Sequence, residues 1–199
     1  MNILKRQDLW SLEDYSVKRN EYRAQVIKHK KHRQIDLGGN ARLYFEDRMT
    51  IQYQIQEMLR IERIFEAAAI EEELDAYNPL IPNGSNWKAT FMLEFPDVNE
   101  RKIMLNKLLG IEDKIWVQIG DSEKVYAIAD EDLDRSNQEK TSSVHFLRFE
   151  LTEEMINEAA HDADIRFGVD HPAFGLPPIR VSPQQRDSLL GDLSLPETH

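Results

Sequence analysis

Strand signals in this chain arrive in pairs joined by tight turns, a pattern that disfavours a parallel sheet. Ile35 and Leu37 precede Gly38-Gly39-Asn40, and Leu43 and Phe45 alternate after it, as in a hairpin spanning Arg33 to Asp47. A second hairpin is expected from Ile115–Ile119 and Lys124–Ala129 around Gly120-Asp121. Lys88 to Phe95 alternates as a strand, Ser143 to Leu151 carries the strongest strand pattern, and Asp164 to Val169 supplies another. No clean series of strand, helix and parallel strand runs through the chain.

Helices fill the remainder. Ser11 and Asp14 form a capping-box signal before a stripe of Leu12, Tyr15, Tyr22, Val26 and His29. Pro96-Asp97 opens a helix that Gly110 ends, Thr152 caps a short one, and Ser182-Pro183 starts the last. The expected fold is α+β: a mainly antiparallel sheet of five to seven strands, packed with a long central helix and three or four further helices. The 199 residues, 41% of them hydrophobic, are enough for a single domain with a tail that frays from about residue 194.

The long central helix is expected from about Arg48 to Leu74, and its apolar side is not clean. Ile51, Ile55, Met58, Leu59, Ile61, Phe65, Ala68 and Ala69 share one broad arc, with Glu62 in its middle, Gln54 and Glu66 inside its sides and Glu57 on its border. If this arc packs on the sheet, Glu62 is buried and needs an answer, because an unpaired buried carboxylate is costly. Arg148 is the best candidate partner, with Arg166 and Arg63 as others. Alternation puts Glu94, Trp116, Gln118, Tyr126, Arg148, Glu150, Arg166 and Asp170 on strand faces opposite the apolar ones. A helix crossing that face would enclose a polar interior, with Glu57, Glu62, Glu94, Arg148 and Glu150 as the expected ligand-binding residues. The alternative is a surface ladder of ion pairs.

Charge and composition narrow the partners. The net charge of −11 argues against an overall match to nucleic acid or an anionic membrane, although Ser16 to Arg33 holds seven Lys or Arg and one acid. That basic run suits a helix C-terminus. With no cysteine, disulfides, thiolate catalysis and thiolate-held zinc or iron–sulfur clusters within the chain are excluded, and a reducing cytoplasm fits. The start lacks an apolar leader, and no run reaches the ~20 apolar residues of a membrane span.

No motif requires a cofactor. His145 shares the apolar strand face of Leu147 and Phe149, so it reads as a core histidine, with metal ligand or general base as the sharper alternative. Asp170-His171-Pro172 sits at a strand end, where a turn and a functional His171 are both consistent. Glu158-Ala-Ala-His161 has the spacing of one half of a di-iron motif, without the second half. Asp130-Glu131-Asp132 lacks the glycine and ligand spacing of a calcium loop. Any metal is therefore expected to be held weakly or by oxygens. Phosphate loops, dinucleotide fingerprints and nucleophile elbows are absent from the sequence.

The blocks FEDRMTIQYQIQEMLRIERI, NPLIPNG, ATFMLEFPD, LLGIEDKIWVQIG, AIADED, KTSSVHFLRFEL and GVDHP, in this order, resemble the bacterial family catalogued as domain of unknown function 3501. The resemblance runs from about Leu4 to Leu193. It implies no reaction and transfers no catalytic residues. It does imply a genomic setting beside rubrerythrin-like and iron–sulfur oxidoreductase proteins. The expected function is thus an accessory protein that binds a small ligand or metal ion in a polar pocket and serves such a redox partner. The alternatives are an interaction protein with a purely structural ion-pair network, its basic first helix serving for docking, and an enzyme using carboxylate acid–base chemistry. A homo-oligomer stays open.

Overall fold

The computed structural model describes residues 3–129 and 140–195. The acidic run Asp130–Asp132 and the last four residues lie outside the described residues. Among the described residues, nine strands form two antiparallel sheets. The first contains β1 (Gln34–Gly38), β2 (Ala41–Phe45), β3 (Asn86–Leu93), β7 (Val144–Glu150) and β6 (Ile128–Ala129), in the order β1-β2-β3-β7-β6. The second contains β4 (Ile115–Ile119), β5 (Val125–Tyr126), β8 (Ile165–Val169) and β9 (Ile179–Arg180), in the order β5-β4-β8-β9. The helices are α1 (Leu12–Lys30), α2 (Arg48–Glu62), α3 (Ala67–Tyr77), α4 (Val98–Lys107), α5 (Glu153–Ala160) and α6 (Pro183–Leu190). No helix among the described residues is long and apolar enough to cross a membrane.

The α+β class holds, with the strands divided between two sheets rather than one. The division happens inside the predicted strand Lys124–Ala129. Val125 and Tyr126 pair with β4, whereas Ile128 and Ala129 pair with β7. Ala127 is the corner, its N–H bonded to the Ile115 carbonyl at 2.8 Å. The two sheets share one core. Leu43, Phe45, Trp87, Phe91, Leu147 and Phe149 come from the first, and Ile115, Val117, Ile165 and Phe167 from the second. Phe167 is central, with its ring 5.3 Å from Phe45, 5.5 Å from Phe149 and 6.2 Å from Trp87. Leu105 within α4 and Leu108 just after it, Ile156 of α5 and Leu189 of α6 join the same core.

The long helix is corrected: it is two helices. α2 stops at Glu62 because Arg63 turns left-handed, at φ 55°. Its N–H and that of Ile64 both return to the Leu59 carbonyl, the latter at 2.9 Å. This is a Schellman-type ending in which arginine stands where glycine is usual. Ile64 packs into the cluster that holds Leu59, and that apolar contact fixes the turn despite the strain of a non-glycine residue there. The turn sends α3 back along α2, so Leu74 is buried with Leu4, Ile51, Ile55 and Ile81.

The expected packing on the sheet is corrected as well. The apolar face of α2 is answered by α3 and the N-terminal segment on one side and by α1 on the other, where Tyr15, Tyr22 and Val26 meet Trp10, Met49 and Tyr53. Ile55 is buried, but Ile61 is 62% and Phe65 59% exposed, and Glu62 is exposed. Glu62 therefore needs no arginine, and it forms no ion pair among the described residues. Phe65→Ala should change stability by no more than about 0.5 kcal/mol, as expected for an exposed side chain. A urea-unfolding midpoint displaced by the several kcal/mol of a core truncation would contradict this placement.

Candidate functional site

The residues expected to line one polar interior do not meet. Glu57 is held by α1: Arg19 donates Nε to its Oε1 at 2.7 Å and Nη2 to its Oε2 at 2.8 Å, and Tyr15 donates its hydroxyl to Oε1 at 2.7 Å. Arg19 is the main reason the Glu57 carboxyl is held down to about 2, against the effect of burial. Burial, and then Glu57, pushes the Tyr15 phenol up.

Glu94 belongs to a separate group, accepting from the Tyr44 hydroxyl at 2.5 Å, with Arg42 Nη1 at 3.4 Å. Arg148 and Glu150 do pair with each other, and Glu150 also accepts from Asn86 Nδ2 at 2.8 Å. Burial opposes the ionisation of Glu150, but Asn86 and Arg148 outweigh it and hold its carboxyl below the usual range. Arg166 is on the second sheet and Asp170 directly follows its strand β8, so the polar strand faces lie on two sheets and enclose no common interior among the described residues.

The histidines also stay apart. His145 is fully buried on the inner face of the first sheet, stacked against Phe91 at 6.3 Å between centroids. Its Nε2 lies 2.8 Å from Thr141 Oγ1 and 3.7 Å from Glu112 Oε2. His171 is in a turn, its Nε2 at 3.1 Å from the Leu109 carbonyl. His161 bonds the Asn157 carbonyl of its own helix at 2.8 Å. No group of three or more His, Asp or Glu placed to hold a metal occurs among the described residues.

What the chain assembles instead is a cleft of about 510 Å³ between the start of α2 and the segment after α6. Asp47, Arg48 and Met49 line one wall, Ile81 to Gly84 the floor, and Gly191 to Ser194 the other wall. Local sequence explains each piece. Asp47 caps α2, accepting from Thr50 N through Oδ1 at 2.9 Å. Gly84, at φ +102°, lets the loop approach the C-terminal segment, since a Cβ there would lie 2.3 Å from Ser194 Oγ. Ser194 N donates to the Gly84 carbonyl at 2.8 Å, and Leu193 pairs with Gly84 as a parallel bridge. The segment that was expected to fray from about residue 194 is thus tied down through Ser194.

Behind the cleft stands Arg33, 2% exposed. Nε donates to the Phe45 carbonyl at 3.2 Å, Nη1 to the Ser188 carbonyl at 3.0 Å, and Nη2 to the Glu46 carbonyl at 3.1 Å and to Asp192 Oδ2 at 2.6 Å. Asp47 Oδ2 lies 3.4 Å from Arg33 Nε and 2.5 Å from His29 Nε2. One guanidinium thereby joins the first hairpin, α6 and the last turn, and holds the carboxylates of two residues that line the cleft.

The two carboxylates respond differently. Burial works against the Asp47 charge, but Arg33, the Thr50 N–H and His29 outweigh it and hold its carboxyl below the usual range. The Asp192 side chain is 6% exposed. Burial, opposed by Arg33 and reinforced by Asp47, pushes its carboxyl up to about 6. Oδ1 of Asp192 makes no hydrogen bond among the described residues. Arg48, across the cleft, pairs with Asp8 at 3.1 Å through Nη2 but has a buried Nε with no hydrogen-bond partner. An unused acceptor and a buried, partnerless donor therefore belong to residues of opposite walls.

Sequence reasoning missed this site because Asp47 read as the end of the first hairpin, and Asp192 fell before the tail expected to fray from about residue 194, with no partner indicated. A signal was present: Arg33 ends the basic run at a strand start, where a buried arginine demands acidic partners.

A family model described as "Protein of unknown function (DUF3501)" matches residues 3–193. A crystal structure of a protein of unknown function from Burkholderia pseudomallei K96243 is similar, with a TM-score of 0.91 and 48% identity over 96% of this chain and 99% of that one. No functionally curated protein matches. With nearly its whole length matched, the chain belongs to the DUF3501 family of proteins of unknown function.

Proposed function

We propose that this protein is a binding protein for a small zwitterionic molecule of the α-amino-acid type, taken up in the cleft between α2 and the C-terminal segment. The observation that carries this reading is the placement on opposite walls of the cleft of Asp192, whose Oδ1 is unused, and of the Arg48 guanidinium, beside the start of α2. A helix N-terminus and a guanidinium favour a carboxylate, and a desolvated aspartate favours an ammonium group. The absence of a metal-ligating cluster among the described residues turns the reading toward an organic ligand rather than an ion. As partner we propose the cytoplasmic rubrerythrin-like or iron–sulfur redox protein implied by the family resemblance. The chain has no cysteine, so a thiolate-held cluster would belong to that partner.

The test is Asp192→Asn, which keeps shape and an acceptor for Arg33 but removes the charge. Thermal shifts would be read with α-amino acids, with putrescine and with succinate. Amino acids should stabilise the wild type more than either probe, each of which has charges of one sign only, and the variant should lose that response. Equal responses of both proteins to every probe would contradict the reading.

The same variant carries a pH signature. Asp192 has a folded-state pKa raised above its unfolded value, so its protonated form contributes stability that is full below about 4 and lost as pH rises through about 6. Asp192→Asn should therefore flatten the stability–pH curve across that window. Superimposable curves for the two proteins would refute the assignment.

A further inference from the structure

The three N-terminal helices carry two unbalanced charged faces. α1 runs antiparallel to α2, since Tyr15 bonds Glu57 at 2.7 Å, Tyr22 reaches the Met49 carbonyl at 3.3 Å and His29 meets Asp47 at 2.5 Å. α3 also runs antiparallel to α2, as the burial of Leu74 with Ile51 and Ile55 requires. α1 and α3 therefore run in the same direction on either flank of α2. On α1 and just beyond it, Arg23, Lys28, Lys30 and Lys31 form no ion pair among the described residues. The same is true of Glu62, Glu66, Glu71, Glu72, Glu73 and Asp75 on and before α3. These carboxylates crowd one another: the Glu73 carboxyl stands above its usual range through burial and then through Glu62 and Glu72.

Each face also exposes large apolar side chains at matching levels. Val17, near the start of α1, is 83% exposed, and Ile61 and Phe65, just before α3, are 62% and 59% exposed. Phe65 borders a groove of about 310 Å³ whose apolar lining comes from Leu9, Leu12, Leu59, Ile64 and Ile70. Exposed apolar groups within a charged rim mark an association surface.

We propose that two copies of this chain associate through this helical layer about a two-fold axis parallel to α2, so that α1 of each lies on α3 of the other. A rotation about that axis exchanges the flanks and preserves the ends. It sets Val17 of one copy toward Ile61 and Phe65 of the other, and Lys28, Lys30 and Lys31 toward Glu71, Glu72 and Asp75. The interface is isologous, so each contact occurs twice and the assembly closes at two copies. The association is electrostatic at its rim and weakens with salt.

The experiment is sedimentation velocity on the full chain and on two triple variants of the charged faces, K28E/K30E/K31E and E71K/E72K/D75K, with circular dichroism to confirm folding. The wild type should be dimeric at low salt, with the dimer fraction falling as salt rises. Each variant alone should be monomeric. A mixture of the two should recover a one-to-one dimer, because one contact is then native, the other is reversed on both sides, and both are complementary. A monomeric wild type, variants that dimerise like the wild type, or a mixture that stays monomeric would each overturn the proposal.

Discussion

Arg33→Met should lower stability by about 3–5 kcal/mol at neutral pH, measured by urea unfolding, because it removes one partner from a buried charged cluster. Methionine fills most of the arginine stem's volume, so the loss is electrostatic rather than a cavity. Asp192 would lose the 2.6 Å contact to Nη2, Asp47 the neighbour at 3.4 Å, and the carbonyls of Phe45, Glu46 and Ser188 their donors. Arg33→Lys should rescue little, since a single ammonium cannot reproduce a planar fork that reaches acceptors on three segments. The gap between wild type and Arg33→Met should narrow at pH 5, where Asp192 is protonated in both proteins and its charge no longer needs Arg33. A gap that stays constant with pH, or one below about 1 kcal/mol, would show that the cluster does not hold the C-terminal segment.

Phe167→Ala should cost about 3–5 kcal/mol, as a large-to-small change in a fully buried position. Its ring contacts three aromatic side chains of the first sheet while its backbone belongs to the second. The cavity would open at the centre of the sheet–sheet core, where no flexible side chain can collapse into it. The contrast with Phe65→Ala, expected to be near neutral, separates this architecture from one in which a long central helix covers the sheet.

Those two phenylalanines also show where the sequence was legible. Alternation placed Phe167 correctly, together with Val117, Ile119, Leu147 and Phe149, because a strand's period of two admits only two faces. The hairpins, the caps at Ser11, Asp97, Thr152 and Ser182, and the burial of His145 followed from the same local rules. Phe65 was misplaced because the helical period continues smoothly through a chain reversal. The residue that breaks the helix, Arg63, is neither glycine, asparagine nor proline, and its left-handed turn is imposed by Ile64 packing beside Leu59. Tertiary contact overrode local preference there, and Glu62, placed by the same projection, went with it.

The expected polar interior failed for a related reason. Its members were chosen by strand face, but the strands belong to two sheets, and the corner at Ala127 leaves no mark in the alternation. Glu57 found Arg19 on a neighbouring helix, a pairing that spans 38 residues. The cleft residues are separated more widely still: Asp192 is 159 positions after Arg33. Only the requirement that a buried guanidinium be neutralised connects them, and that requirement names no partner in advance.

The claim that the cleft is a zwitterion site is tested most directly by an amide NMR titration of the wild-type protein with α-amino acids. The account predicts saturable shifts concentrated at the amides of Arg48, Met49, Gly84, Asp192 and Ser194, and their loss in Asp192→Asn. Amides in the cleft that stay unmoved throughout the titration, or saturable shifts confined to another surface, would contradict it.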